Sequence, residues 1–169
     1  DGCGGLLRRY SVSTASNGAG ELSGSHCTPR GRHVVRAKIG AGAASNTVFR
    51  GRRPTGEIWT TQLADRFPDR DWMLTRILWL SGKEPGRNRL GNVDTMRRYI
   101  YLHGSPDTAP MGRPGSIGCV RMRNRDIIEL FDLVPPYTPV DIVEFGIEAG
   151  GWPQLASGAR AVREAVFVR

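Results

Sequence analysis

The chain has 169 residues, enough for one domain that buries a core without metal or disulfide staples. Its 24 basic residues outweigh 16 acidic ones to give a formal net charge of +8, and all of the basic residues except Lys38 and Lys83 are arginine. No run of eighteen apolar residues occurs, which excludes a membrane-spanning helix, and the arginines stand in scattered ones and twos (Arg8-Arg9, Arg52-Arg53, Arg97-Arg98) without a helix-turn-helix, zinc-finger or RNP-like pattern, which argues against nucleic acid.

The first residues, DGCGGLLRRYSVSTA, lack a charged start followed by an apolar run, so a secretory signal is expected to be absent or already removed. LLRRYSVST (6–14) alternates and is expected to form a strand. Gly- and Ser-rich residues 15–31, closed by Thr28-Pro29-Arg30-Gly31, are expected to be a long surface loop. HVVRAKI (33–39) reads as a second strand, and VFRGRRPTGEIW (48–59) as a strand pair broken at Pro54 and Gly56. WMLTRILWL (72–80), the most apolar segment, suits a central strand. Turn residues fill 81–92, and MRRYIYLH (96–103) is another strand.

At Asn124 the period changes. Ile127, Leu130, Phe131 and Val134 fall at helical spacing, with Asn124 as the expected N-cap and Pro135-Pro136 as the stop. TPVDIVEF (138–145) returns to strand character, and residues 146–169 are expected to be an extension wrapping the surface, with room for a short helix over 159–166. The whole, 1–169, reads as a single mainly β domain, sandwich-like or barrel-like, with one well-marked helix.

The chemistry concentrates between His103 and Met122. His103 ends the strand-like run RYIYLH, and Cys119 follows sixteen residues later in a glycine-rich turn. A cysteine attacks as thiolate, so a catalytic Cys wants a neighbouring His. Gly118 beside Cys119 would let two backbone N–H groups converge as an oxyanion hole. Taken alone, a buried structural thiol is the commoner fate of a free cysteine, and His103 equally suits a strand-end histidine bonded to a carbonyl. His26, in a loop, and His33, in an ordinary strand, are poor catalytic candidates. The three cysteines, Cys3, Cys27 and Cys119, show no metal-ligand spacing, so neither a metal nor another cofactor is expected. Cys3 and Cys27 would be the pair in an oxidising compartment; two unpaired thiols fit as well.

His103-Gly104, eleven residues, then Ser116-Ile117-Gly118-Cys119-Val120-Arg121-Met122, followed by a helix and TPVDIV, closely resembles the catalytic domain of the L,D-transpeptidases. GSHCTPRGRHVV resembles that family's upstream segment. The resemblance implies a mainly β catalytic fold, export to the periplasm or cell envelope, peptidoglycan stem peptides as partners, and a thioester on Cys119 that forms 3→3 cross-links. It makes Cys119 the nucleophile and His103 its base, with the Gly104 carbonyl orienting the imidazole. Ser116 would bond within the site, Gly118 and Cys119 would supply oxyanion-hole amides, and Arg121 would either hold a substrate carboxylate or anchor the loop. Ile117 stands where the family usually has a second His. That departure keeps open an L,D-carboxypeptidase and a weakened peptidoglycan-binding relative.

Overall fold

The structure is a computed structural model that describes residues 8–144 and 164–168. Eight strands form one sheet: β1 (Gly31–Ile39), β2 (Thr47–Arg50), β3 (Arg53–Ile58), β4 (Met73–Gly82), β5 (Tyr101–Ser105), β6 (Val120–Arg123), β7 (Pro139–Glu144) and β8 (Glu164–Val168). The order is β3-β2-β4-β1-β7-β8, with β5 on β4 and β6 on β5. The pairing is antiparallel except between β5 and β6, which run parallel. The architecture is therefore mainly β with one main helix, α2 (Asn124–Leu133), beside a single-turn helix α1 (Thr61–Arg66).

Alternation along the strands sends apolar side chains to both faces of the sheet. Leu78, Leu80, Leu102, Val120 and Met122 face α2 and pack with its Ile127, Leu130 and Phe131. Ile77 and Tyr101 point to the other face, where they meet Phe49 and Cys119. The Lys38 ammonium closes the end of α2 by donating to the carbonyls of Phe131 (2.5 Å) and Val134 (2.7 Å), at the negative end of the helix dipole.

The central strand β4 carries a bulge. Its register shifts between Leu74 and Ile77, and Thr75 takes a left-handed φ of 70°, rare for a β-branched residue. The buried Thr75 hydroxyl donates to Asn124 Oδ1 at 2.5 Å and accepts the Asn46 N–H at 2.9 Å. Gly104 of β5 lies against this bulge: a Cβ there would stand 2.6 Å from both the Leu74 carbonyl oxygen and Asn124 Oδ1. The residue after His103 is glycine because the bulged strand leaves no room for a side chain.

Several sequence expectations need correction. The 6–14 strand is not a ladder: in its described part only Ser13 bridges, to Arg121, and Ala15 then bridges to Ser116. The 48–59 pair turns at Gly51 and Arg52, both at positive φ, rather than at Pro54 and Gly56. Pro54 and Gly56 lie inside β3, an edge strand where a missing ladder donor is tolerated. α1 was not expected; Thr60 caps it by accepting the Leu63 N–H at 3.1 Å. β5 starts at Tyr101 rather than 96, because the Asp94 carboxylate accepts the N–H groups of Leu90 (2.7 Å) and Arg97 (2.9 Å) and draws the preceding residues into turns. Asn124 is the first helical residue, not the cap, because its amide is spent on the buried contacts to Thr75 and Asn46. The helix allowed over 159–166 lies mostly outside the described residues; Glu164 to Val166 belong to β8, paired with β7.

Replacing Gly104 by Ala should destabilise the protein by about 1–3 kcal/mol through overpacking against β4. A lowered denaturant midpoint with an unchanged slope checks it, and an unshifted midpoint would show that the bulge yields.

Candidate active site

In the β5–β6 pairing His103 lies opposite Arg121 and Leu102 opposite Val120. Side chains alternate along both strands, so Tyr101, His103 and Arg121 share one face, and Cys119, one residue before β6, joins them. His103 and Cys119 are diagonal neighbours, with Cα positions roughly 8 Å apart by strand spacing and rise.

His103 is fully buried. Its Nδ1 lies 2.8 Å from the Gly104 carbonyl oxygen, which only accepts, so Nδ1 carries the proton and the neutral ring presents its lone pair at Nε2. Nε2 is buried and has no partner among the described residues. Burial holds the imidazole pKa below its usual value, against the nearby Asp71 carboxylate and the Gly104 bond, which pull it up.

Cys119 is also buried. Its Sγ accepts the Tyr101 N–H at 3.4 Å and donates to the Tyr99 carbonyl at 3.4 Å. Burial pushes its pKa up to about 12; the Tyr101 amide lowers it, Asp71 adds to the rise, and Arg121 and Arg98 oppose it. At rest the pair is a neutral thiol and a neutral imidazole, not joined by a hydrogen bond.

The turn before Cys119 is fastened from several sides. Gly118 has a φ of 121°, open to glycine. The buried Ser116 hydroxyl donates to the Cys119 carbonyl at 2.5 Å and accepts the Gly118 N–H at 3.2 Å. Gly118 therefore does not offer a free amide to an oxyanion, which corrects that part of the expected oxyanion hole. Thr28, fully buried, donates to the Gly118 carbonyl at 3.0 Å and accepts the Ala15 N–H at 3.0 Å. The 15–31 segment is thus packed against the Cys119 turn at Thr28 rather than lying free. Arg98 binds it further, donating to the carbonyls of Gly20 (3.0 Å), Glu21 (2.8 Å) and Cys27 (2.6 Å).

Arg121 donates to the Gly115 carbonyl at 2.7 Å and pairs with Asp71 at 2.7 Å, so it is an anchor whose charge is already matched. Ile117, two residues before Cys119, is 57% exposed. His33 is buried far along β1 with ring nitrogens at Gly31 O (2.9 Å) and Thr95 Oγ1 (3.2 Å), and burial takes its pKa down to about 4. His26 is exposed in the loop. Cys27 is a free thiol, and Cys3 lies outside the described residues. Among the described residues no group of His, Cys, Asp or Glu is placed to hold a metal, and no helix is long and apolar enough to cross a membrane.

Asp71, Thr28 and Arg98 escaped the sequence reading. Asp71 sits in a polar loop with no periodic signal, and Thr28 and Arg98 act on backbone carbonyls, which leave no mark in residue spacing.

A family model described as the L,D-transpeptidase catalytic domain (YkuD) matches residues 3–142. A Bacillus subtilis protein carrying the name L,D-transpeptidase YkuD is 41% identical over 46 residues, 27% of this chain and 28% of the relative. Its Bacillus licheniformis namesake is 39% identical over 46 residues, with the same shares. The match thus spans little more than a quarter of the length of these curated relatives. Among solved structures, an L,D-transpeptidase from Mycobacterium smegmatis aligns over 80% of this chain and 48% of its own, at 16% identity and a TM-score of 0.42. One from Xylanimonas cellulosilytica aligns over 77% and 47%, at 18% identity and a TM-score of 0.38. With the family model covering most of its length, the chain belongs to the L,D-transpeptidase catalytic domain family.

Proposed function

We propose that the protein is an exported L,D-transpeptidase that acylates Cys119 with peptidoglycan stem peptides and passes the acyl group to an amine, forming 3→3 cross-links. The observation that carries the reading is the buried, unpartnered Nε2 lone pair of His103, held in the required tautomer by Gly104 and diagonal to the only buried thiol among the described residues.

Rotation about the Cys119 Cα–Cβ bond takes the S–H from the Tyr99 carbonyl toward His103 Nε2. His103 accepts the proton as Sγ attacks the carbonyl of the third residue of the donor stem. The C–N bond to the terminal D-alanine breaks, and the imidazolium returns its proton to the leaving amine. A side-chain amine of a second stem then attacks the thioester, His103 taking its proton and the thiol being restored. If water replaces that amine, the site is an L,D-carboxypeptidase.

Neutral resting partners suit general-base catalysis in which proton loss and attack are coupled. They do not suit a preformed thiolate–imidazolium pair, because burial disfavours both charges. The exposed Ile117 favours a second reading, a weakened peptidoglycan-binding relative, since it cannot donate a hydrogen bond where the family usually has an imidazole.

Intact-mass measurement after incubation with a carbapenem should show one adduct, absent in Cys119→Ala and forming roughly 10²–10⁴-fold more slowly in His103→Ala. An unmodified parent protein would count against an active nucleophile. Binding to purified sacculi without any change in their muropeptide profile would select the second reading.

The pH dependence follows from the two shifts. Because the His103 pKa is lowered, the base stays unprotonated into more acidic solution, and the acid limb of kcat/KM should fall below the ordinary histidine value of about 6.5. Because the thiol pKa is raised, iodoacetamide labelling of the free enzyme should climb steadily between about pH 6 and pH 9. A plateau within that range would reveal a preformed thiolate.

A further inference from the structure

The carboxylate role expected of Arg121 is compromised by its pairing with Asp71. On the same face stands Arg52, at the tip of the β2–β3 hairpin, where it takes a left-handed φ of 67° after Gly51. Its guanidinium carbon lies 4.4 Å from the Trp79 ring centroid and 4.9 Å from that of Tyr99. Nη1 donates to the Tyr101 hydroxyl at 3.1 Å. Trp79 in turn stacks on Tyr99, centroids 6.1 Å apart, and meets Tyr101 edge-on at 6.0 Å. Among the described residues no carboxylate pairs with Arg52.

This cluster is joined to the nucleophile through two residues. Tyr99 and Tyr101 hold Cys119 Sγ with their backbone, by carbonyl and amide respectively, and hold Arg52 with their rings. A guanidinium has five donors, and the bond to Tyr101 leaves an edge for the paired oxygens of a carboxylate. The rings fix its plane beforehand, so little side-chain freedom is lost on binding. Tyr99 is 53% exposed, which keeps the platform open to a ligand.

We propose that Arg52, clamped over Trp79 and Tyr99 and bonded to Tyr101, binds the free carboxylate of the residue that departs when Cys119 is acylated. In a donor stem that carboxylate is one residue beyond the attacked carbonyl, a spacing suited to a cation one tyrosine side chain away from Sγ. Arg52 is then a specificity-determining residue, and the assignment rests on the acyl-transfer reading of Cys119.

The test uses the full chain carrying Cys119→Ala, titrated calorimetrically with a stem tetrapeptide ending in D-alanine and with the same peptide amidated at its C-terminus. The acid should bind more tightly than the amide. Adding Arg52→Gln should weaken the acid roughly tenfold to a hundredfold and leave the amide unchanged, with Arg52→Lys recovering part of the loss. Near-ultraviolet circular dichroism of each variant checks that the aromatic cluster is intact. Equal loss for acid and amide, no loss for either, or no binding of the acid before Arg52 is changed would overturn the proposal. Intact-mass analysis of the parent thiol with the tetrapeptide separates the two claims. An Arg52-dependent preference for the acid without Cys119 acylation would retain the carboxylate site and reject the acyl-transfer chemistry.

Discussion

The parallel pairing of β5 with β6 is the constraint on which the site depends. It sets His103 opposite Arg121 and brings Cys119 onto the face of Tyr101. Side chains alternate with a period of two, so a slip of one residue in β6 would turn Cys119 and Arg121 into the α2-facing core and bring Val120 and Met122 to the site. Two features outside the pair oppose that slip. Val120 and Met122 are buried against α2 on one face, and the Ser13–Arg121 backbone bonds hold the outer edge of β6. On the far side the β4 bulge presses on Gly104 and fixes how far β5 can approach.

Burial then sets the chemistry at rest. His103 and Cys119 are both kept from water, and each is held neutral by the cost of charging it there. The surrounding polar groups are spent mainly on shape: Ser116, Thr28 and Arg98 each bind backbone atoms of the Cys119 turn or of the segment behind it. This leaves the thiol few ways to move. Its present bonds, to the Tyr99 carbonyl and the Tyr101 amide, are both to a sulfur and weak.

Cys119 and His103 stood out in the sequence as candidates because each sits at a local signal, a glycine turn and a strand end. Strands β1, β4 and β7 and the helical period of α2 were legible too, β4 from its apolar run and β7 from its alternation. What the sequence hid depends on distant partners. The bulge at Thr75 shows only when Asn124 arrives to accept from its hydroxyl and Asn46 to donate its N–H to it. The 6–14 segment alternates like a strand, yet over its described residues β6 offers it pairing at one residue, Ser13. Gly118 looked like an oxyanion donor until Ser116, two residues earlier, took its N–H. Pro54 and Gly56 looked like breakers because local propensity says nothing about which strand lies at an edge.

The surplus of arginine is best understood by where each guanidinium is spent. Arg121, Arg30 and Arg70 are matched to Asp71, Glu21 and Glu57. Arg98 and the buried Arg76 donate to backbone carbonyls, as does Lys38. These charges serve the fold, and scattering is what such a use produces; a surface built for a polyanion would instead leave them unpaired and aligned. Arg52 differs from these: it is held by Trp79, Tyr99 and Tyr101 without an acidic partner among the described residues, and its link to Cys119 through Tyr99 and Tyr101 sets one placed cation beside a buried thiol.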